Sequence, residues 1–298
     1  MGPTSWLSAL AAVICLGCSV GVAAEPVLVY TVNYPLQYFA QRIAGGHAEV
    51  VLPVPPDVDP AFWQPDAAAV SDYQRADLIL LNGAGYAKWV NKASLPRRKL
   101  VDTAAGFRER LIGTHGGVTH SHGREGEHSH AGTAFTTWLD FSQATEQARA
   151  VRDALARRMP EQENTFTANF TALERDLLDL DARLKAIVDR NPAIPLIASH
   201  PVYQYLAKNY SLNLKSVLWE PHIMPANTEW QDLAKLRSTH PAGWMLWESA
   251  PAPEITARLL QLGIQSVVFD PCANRPETGD FLSVMSENLT NTARIFDH

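Results

Sequence analysis

Cysteine is scarce in this chain, with three in 298 residues, and two of those, Cys15 and Cys18, fall in the N-terminal apolar stretch. That stretch, "MGPTSWLSALAAVICLGCSVGVAAEP", carries no charged side chain before Glu25 and closes on Val22-Ala23-Ala24. Small residues three and one positions before a break suit signal-peptidase cleavage, so 1–24 is expected to be a cleaved secretion signal. Acylation at Cys18 is the secondary expectation, since a Cys stands where a Leu is usual in such sites. Cleavage leaves Cys272 without an intramolecular partner, which excludes a disulfide scaffold and makes Cys272 a packing residue.

Positive charge is short as well. The net charge is −6, which excludes general nucleic-acid binding, because phosphate neutralisation needs a basic surface. The chain has no P-loop, no G-x-S-x-G, no H-E-x-x-H and no G-x-G-x-x-G, so nucleotide hydrolysis, serine-type hydrolysis, zincin chemistry and dinucleotide binding have no motif to rest on. After the leader there is no apolar run long enough to span a bilayer.

What is present is a globular composition, 46% hydrophobic and 19% charged, patterned as strand–helix alternation. "PVLVYTV" (26–32), "AEVVLPV" (48–54) and "DLILLNG" (77–83) read as strands, with helices at 35–45 and 66–76 between them. The second half repeats the pattern with strands at 194–199, 243–249 and 264–271, an extended "SVLW" at 216–219, and helices at 202–209, 228–238, 253–263 and 280–296. Between the halves, Phe166, Phe170, Leu173, Leu177, Leu180, Leu184 and Ile187 alternate steps of four and three. This is one apolar stripe on a helix, about 30 Å long at 1.5 Å per residue. The expected fold is therefore α/β: two lobes with mainly parallel sheets flanked by helices, joined by one long linker helix. The boundaries are 25–160 for the first lobe, 161–191 for the linker helix and 192–298 for the second lobe.

Ligands of open α/β sheets sit at the carboxyl ends of strands. His200, Glu248 and Asp270 fall just there, after "LIAS", "WMLW" and "SVVF". Imidazole with carboxylate suits Zn or Mn. It also suits acid–base hydrolysis, and each residue alone could equally be a satisfied polar group; Glu248 is left open. His222 reads as a surface-loop residue, and His47 and His240 as exposed. A second feature is the loop 113–132, "GTHGGVTHSHGREGEHSHAG", which holds His115, His120, His122, His128 and His130, half of the chain's ten histidines. Its glycines disfavour regular structure, and clustered imidazoles prefer Zn, Cu and Ni. Ordering such a chain costs entropy, so modest affinity and fast exchange are expected.

The order of segments resembles the periplasmic zinc/manganese substrate-binding proteins of ABC transporters, the ZnuA-like family. "NYPLQYFAQRIAG", "VPPDVDPAFWQP", "ADLILLNGAGYAKWV", "TTWLD", "ASHPVYQYLAKNYSL", "WEPHIMP", "LWESAPAP" and "VVFDP" follow the family's order over nearly all of 26–298. The resemblance implies the two-lobe, cluster A-I type architecture. It also implies a cargo metal, zinc first with Mn or another divalent transition metal behind it, and His200 and Asp270 as metal ligands. A permease and ATPase of an ABC importer are the implied partners, contact with the membrane is only through them, and the protein is a periplasmic monomer rather than an enzyme. Two departures stand out. The family's first ligand is a His two residues after the Asp of its Asp-Pro-His; here Asp59-Pro60 is followed by Ala61. The second is a His two residues before Trp-Leu-Asp; here it is Thr136. Zinc wants about four donors. Three outcomes remain open: the loop histidines complete the shell, the cleft takes another ligand such as a metal chelate, or the loop alone works as a metal buffer. A metal-assisted hydrolase using His200 is the remaining rival.

Overall fold

The computed structural model describes residues 26–114 and 132–297 in full, and the backbone of 119–121 and 127–129. The expected leader 1–24 and its two cysteines lie outside the described residues, as do His115, His122, His130 and the terminal His298. Among the described residues, no helix is long and apolar enough to cross a membrane.

The first half builds a four-stranded parallel sheet in the order β2-β1-β3-β4, from β1 (Val27–Thr31), β2 (Ala48–Val51), β3 (Leu78–Leu81) and β4 (Leu100–Asp102). Helix α1 (Tyr34–Ala44) starts where the Asn33 side chain accepts the Leu36 N–H, and it stops at Gly45, which is left-handed at φ +56°. Helix α2 (Ala67–Arg75) is capped by Asp66 in the same way. The strand β4 is one the sequence pattern misses. It is three residues long, half-buried at the sheet edge, and preceded by Arg97, Arg98 and Lys99.

Between this sheet and the next part of the fold lie two short antiparallel pairs. β5 (Gly113–Thr114) pairs with β8 (Gly132–Thr133) at the root of the His-rich loop, and β6 (Thr119–Ser121) pairs with β7 (Glu127–Ser129) within it. His120 and His128 are direct cross-strand partners. The loop was expected to lack regular structure, yet part of it is a ribbon.

Helix α3 (Phe141–Arg158) begins at Asp140, whose carboxylate accepts the Ser142 and Gln143 N–H groups. Helix α4 (Glu163–Val188) is the long helix. Its stripe is buried throughout, Phe166, Leu173 and Leu177 completely. It packs on α1 and α3 of the first sheet's layer and on α8 (Phe281–Phe296) of the second, so a single helix supports both halves. The second sheet is again parallel, in the order β10-β9-β11-β12, from β9 (Pro195–Ala198), β10 (Asn213–Ser216), β11 (Trp244–Trp247) and β12 (Gln265–Val268). Helices α5 (Gln204–Asn209), α6 (Asn227–Thr239) and α7 (Pro253–Gln261) complete it. The extended run expected at 216–219 sits earlier, because Asn213–Ser216 takes the register on β9 and Val217 and Trp219 only hang on by bonds to Ala198 and Ser199. The expected architecture of two parallel-sheet lobes and one long helix is the architecture found.

Candidate metal centre

In each sheet the first and third strands of its half are neighbours, and the chain leaves them towards opposite edges. That is the switch point at which open sheets bind ligands. On the first-lobe side, Asn33 follows β1 and Asn82 follows β3. Their side chains bond each other at 3.1 Å. Asn82 also donates to the Phe135 carbonyl at 2.8 Å, which fixes the segment carrying Thr136. Gly83 turns the chain here at φ +76°, and a Cβ would meet the Asp102 carboxylate at 2.4 Å, so only glycine fits.

On the second-lobe side, His200 lies in the turn after β9 and is buried. Its Nδ1 stands 3.7 Å from Glu248 Oε1 and 3.9 Å from Glu220 Oε1. Two carboxylates on that side favour the Nδ1-protonated tautomer, which leaves the Nε2 lone pair for a metal. Glu248 thus stands beside His200 on the same cavity. Glu220 lies in "WEPHIMP", and nothing in its sequence neighbourhood shows that the exit from β10 returns it to His200. Asp270 follows β12. Its Oδ1 accepts the Cys272 N–H at 2.6 Å, and its own N–H donates to Asn288 at 2.9 Å. Cys272 makes this turn possible by adopting φ +55°. Burial pushes the Asp270 carboxyl above the ordinary range, against the lowering effect of that N–H bond. Cys272 is buried, as expected, and burial also raises its thiol, so it is neither a reactive nucleophile nor a ready thiolate ligand.

His200, Glu248 and Asp270 line one cavity of about 570 Å³ between the two sheets' carboxyl ends. His222 lines it as well, while remaining exposed, so it is a mouth residue and not only surface loop. His240, expected exposed, is buried and bonds the Leu196 carbonyl at 2.8 Å through Nε2. The opposite wall is aromatic. Phe62 and Phe135 pack edge-to-face at 6.2 Å, and Tyr86 packs likewise on Phe135 at 5.3 Å and on Trp138 at 5.7 Å. Trp138 also reaches across, donating its Nε1–H to the Pro271 carbonyl at 2.7 Å, next to Asp270.

The two replaced positions are both buried. Ala61 belongs to the core, and its N–H is held by Asp59 Oδ1 at 2.8 Å. Thr136 lines the cavity, but its hydroxyl donates to the Val202 carbonyl. Among the described residues, no three His, Cys, Asp or Glu side chains are arranged to hold a metal ion. His200 and the carboxylates fit a metal as a partial donor set, not as a closed four-donor shell. The root of the His-rich loop, β5 and β8, borders an adjoining cavity of about 240 Å³ that shares Phe135, Thr136 and Val202 with the main one. The described root of the His-rich loop therefore stands at the edge of the cleft.

Comparison with known proteins agrees with this geometry. The family model described as zinc-uptake complex component A, periplasmic, matches residues 29–294. The zinc-binding lipoprotein AdcA of Streptococcus pneumoniae is 25% identical over 296 residues, covering 95% of this chain and 58% of that protein. The iron-binding protein YfeA of Yersinia pestis is 30% identical over 200 residues, covering 66% of this chain and 59% of that protein. The metal-dependent lipoprotein YcdH of Bacillus subtilis superposes with a TM-score of 0.77 at 19% identity, covering 90% of this chain and 98% of that one. The chain spans a little under three fifths of the length of the curated relatives it matches. Two parallel sheets on one long helix, with His200 and Asp270 at the strand ends and the family match over most of the sequence, place this chain in the ZnuA family of periplasmic zinc-uptake components.

Proposed function

We propose that the chain is the periplasmic metal-capturing component of an ABC importer, with zinc as its first cargo and Mn or Fe(II) as competitors. The observation that carries this reading is the convergence of His200, Glu248 and Asp270 on one interlobe cavity. The cargo set is widened because the donors here are one imidazole and several carboxylates, a harder set than an all-histidine wall. A relative named for zinc and another named for iron fit that breadth. The family is one of substrate-binding proteins, and this chain acts as one rather than as a metal-assisted hydrolase. Transport energy comes from a separate permease and ATPase.

The loop histidines His115, His120, His122, His128 and His130 collect metal beside the cleft. Their stem joins the cleft wall at Phe135 and Thr136, which keeps captured ions near His200 and Asp270. The test is a zinc titration of the mature chain, a deletion of 115–130, and His200→Ala. Cleft capture predicts that His200→Ala removes a tight equivalent while the deletion removes only weak ones. Binding that depends wholly on 115–130 would mean a loop-only metal buffer.

A further inference from the structure

The cleft is larger than an ion requires. About 570 Å³ lies within the range of small-molecule pockets, roughly 300–1,000 Å³, whereas a metal closed in by four side chains leaves little void. Its two walls ask for different things. The second-lobe wall offers an imidazole and carboxylates but no closed metal shell. The first-lobe wall offers the edge-to-face set of Phe62, Phe135, Tyr86 and Trp138, with Ala61 and Thr136 in place of donors.

Tyr86 sharpens the point. It is 2% exposed, it lines the cavity, and its hydroxyl has no hydrogen-bond partner among the described residues. A buried hydroxyl left unpaired costs about 1–3 kcal/mol. A bare cation offers it no acceptor, whereas a water or a ligand with an oxygen or nitrogen lone pair of its own does. The lining also includes Asp57, Asp59, Glu248 and Asp270 and no Lys or Arg, which favours a complex with net positive charge.

We propose that the cleft takes its metal as a preformed one-to-one complex with a small aminocarboxylate that carries an aromatic or imidazole ring. This rests on the cleft-capture reading above. The metal sits on His200 and Asp270, and the chelator supplies the donors that positions 61 and 136 lack. Its ring packs on Phe62 and Phe135, which are half-buried in front of the fully buried Trp138, and a carboxylate oxygen accepts the Tyr86 hydroxyl. A divalent metal with one such anion is a monocation and suits the acidic lining.

The test is equilibrium dialysis of radiolabelled L-histidine against the full mature chain at pH 7.5, with and without one equivalent of zinc. Retention of one histidine per chain is expected only when zinc is present. It disappears in His200→Ala and weakens at least fivefold in Tyr86→Phe. Folding of Tyr86→Phe is checked by its metal-free melting temperature, which stays level or rises because an unpaired hydroxyl is gone. Zinc bound in a His200-dependent manner with no histidine retained beside it, although histidine is offered, would overturn the chelate and leave cleft capture standing. Histidine retained equally by Tyr86→Phe, or held through the loop independently of His200, would overturn it too. If His200→Ala changes neither zinc nor histidine retention, cleft capture itself falls, and the chelate with it.

Discussion

Asp270 shows what a buried carboxyl costs a fold at the scale of one residue. Burial raises its carboxyl above the ordinary range, so the folded chain holds that proton more tightly than the unfolded chain. The sign follows: this group's contribution is most favourable below the ordinary aspartate value and is lost as pH rises through the raised one. Once ionised, the side chain therefore destabilises the metal-free protein. Asp270→Asn, whose amide oxygen still accepts the Cys272 N–H, is expected to raise the metal-free melting temperature at pH 7 by a few degrees while losing cleft metal. A lower melting temperature would show that the N–H bond outweighs desolvation. Thr136 allows the reverse experiment. Thr136→His adds an imidazole on the cavity wall, and zinc affinity should rise at least tenfold, about 1.4 kcal/mol, in a His200-dependent way; competition against a fluorescent zinc chelator measures it. The placement of His200 and Asp270 on one cavity is legible in the sequence because both stand just after apolar strands. That of Glu220 is not, because its approach to His200 depends on how the chain returns from β10, and no local pattern encodes that path.

Helix α4 is the element on which both lobes depend. Its stripe was legible because seven apolar residues repeat at helical spacing and every one is buried. The strand β4 was not legible, because three half-buried edge residues carry no periodicity. His240 was misread for a related reason: "STHPAG" has a loop's composition, yet the ring is drawn inward by the Leu196 carbonyl. Among the described residues, ion pairs reach α4 from two first-lobe helices, and Arg149 of α3 pairs with Glu174 at 2.7 Å. Arg42 of α1 donates to Asp176 at 2.8 Å, and that hydrogen bond holds the Asp176 carboxyl below the ordinary range. A depressed acid contributes stability that is present above its unfolded value, about 3.9, and is lost as pH falls through the folded value. Asp176→Asn should therefore melt slightly lower than the parent at pH 7, and the gap should narrow as pH is taken below about 3.9. Both side chains are partly exposed, so the effect is small. Thermal melts across that pH range check it, and a gap that persists at low pH would assign the effect to packing instead.

At the scale of the whole molecule the two lobes are tied together on three sides. The long helix spans them. Trp138 bonds Pro271, and Arg275 donates to the Leu52 and Val54 carbonyls at 2.7 and 2.9 Å. Asn274 donates to Pro55 and Val58 at 2.6 and 2.8 Å. A continuous helix with bonds at the cleft floor resists hinge bending, so cargo should enter with little lobe movement; small-angle scattering with and without zinc should give superimposable curves. Histidine ligation needs the neutral ring, so zinc affinity should fall as pH drops through about 6.5. Equal affinity at pH 5 and pH 7.5 would rule imidazole ligation out. The central claim is that the cleft itself, through His200 and Asp270, holds the metal. Crystals of the mature chain grown with one equivalent of zinc, measured at the zinc absorption edge, test it most directly. An anomalous peak about 2.0–2.2 Å from a His200 ring nitrogen and an Asp270 oxygen is expected. Anomalous density confined to the histidines of 113–132, with none at His200, would contradict it.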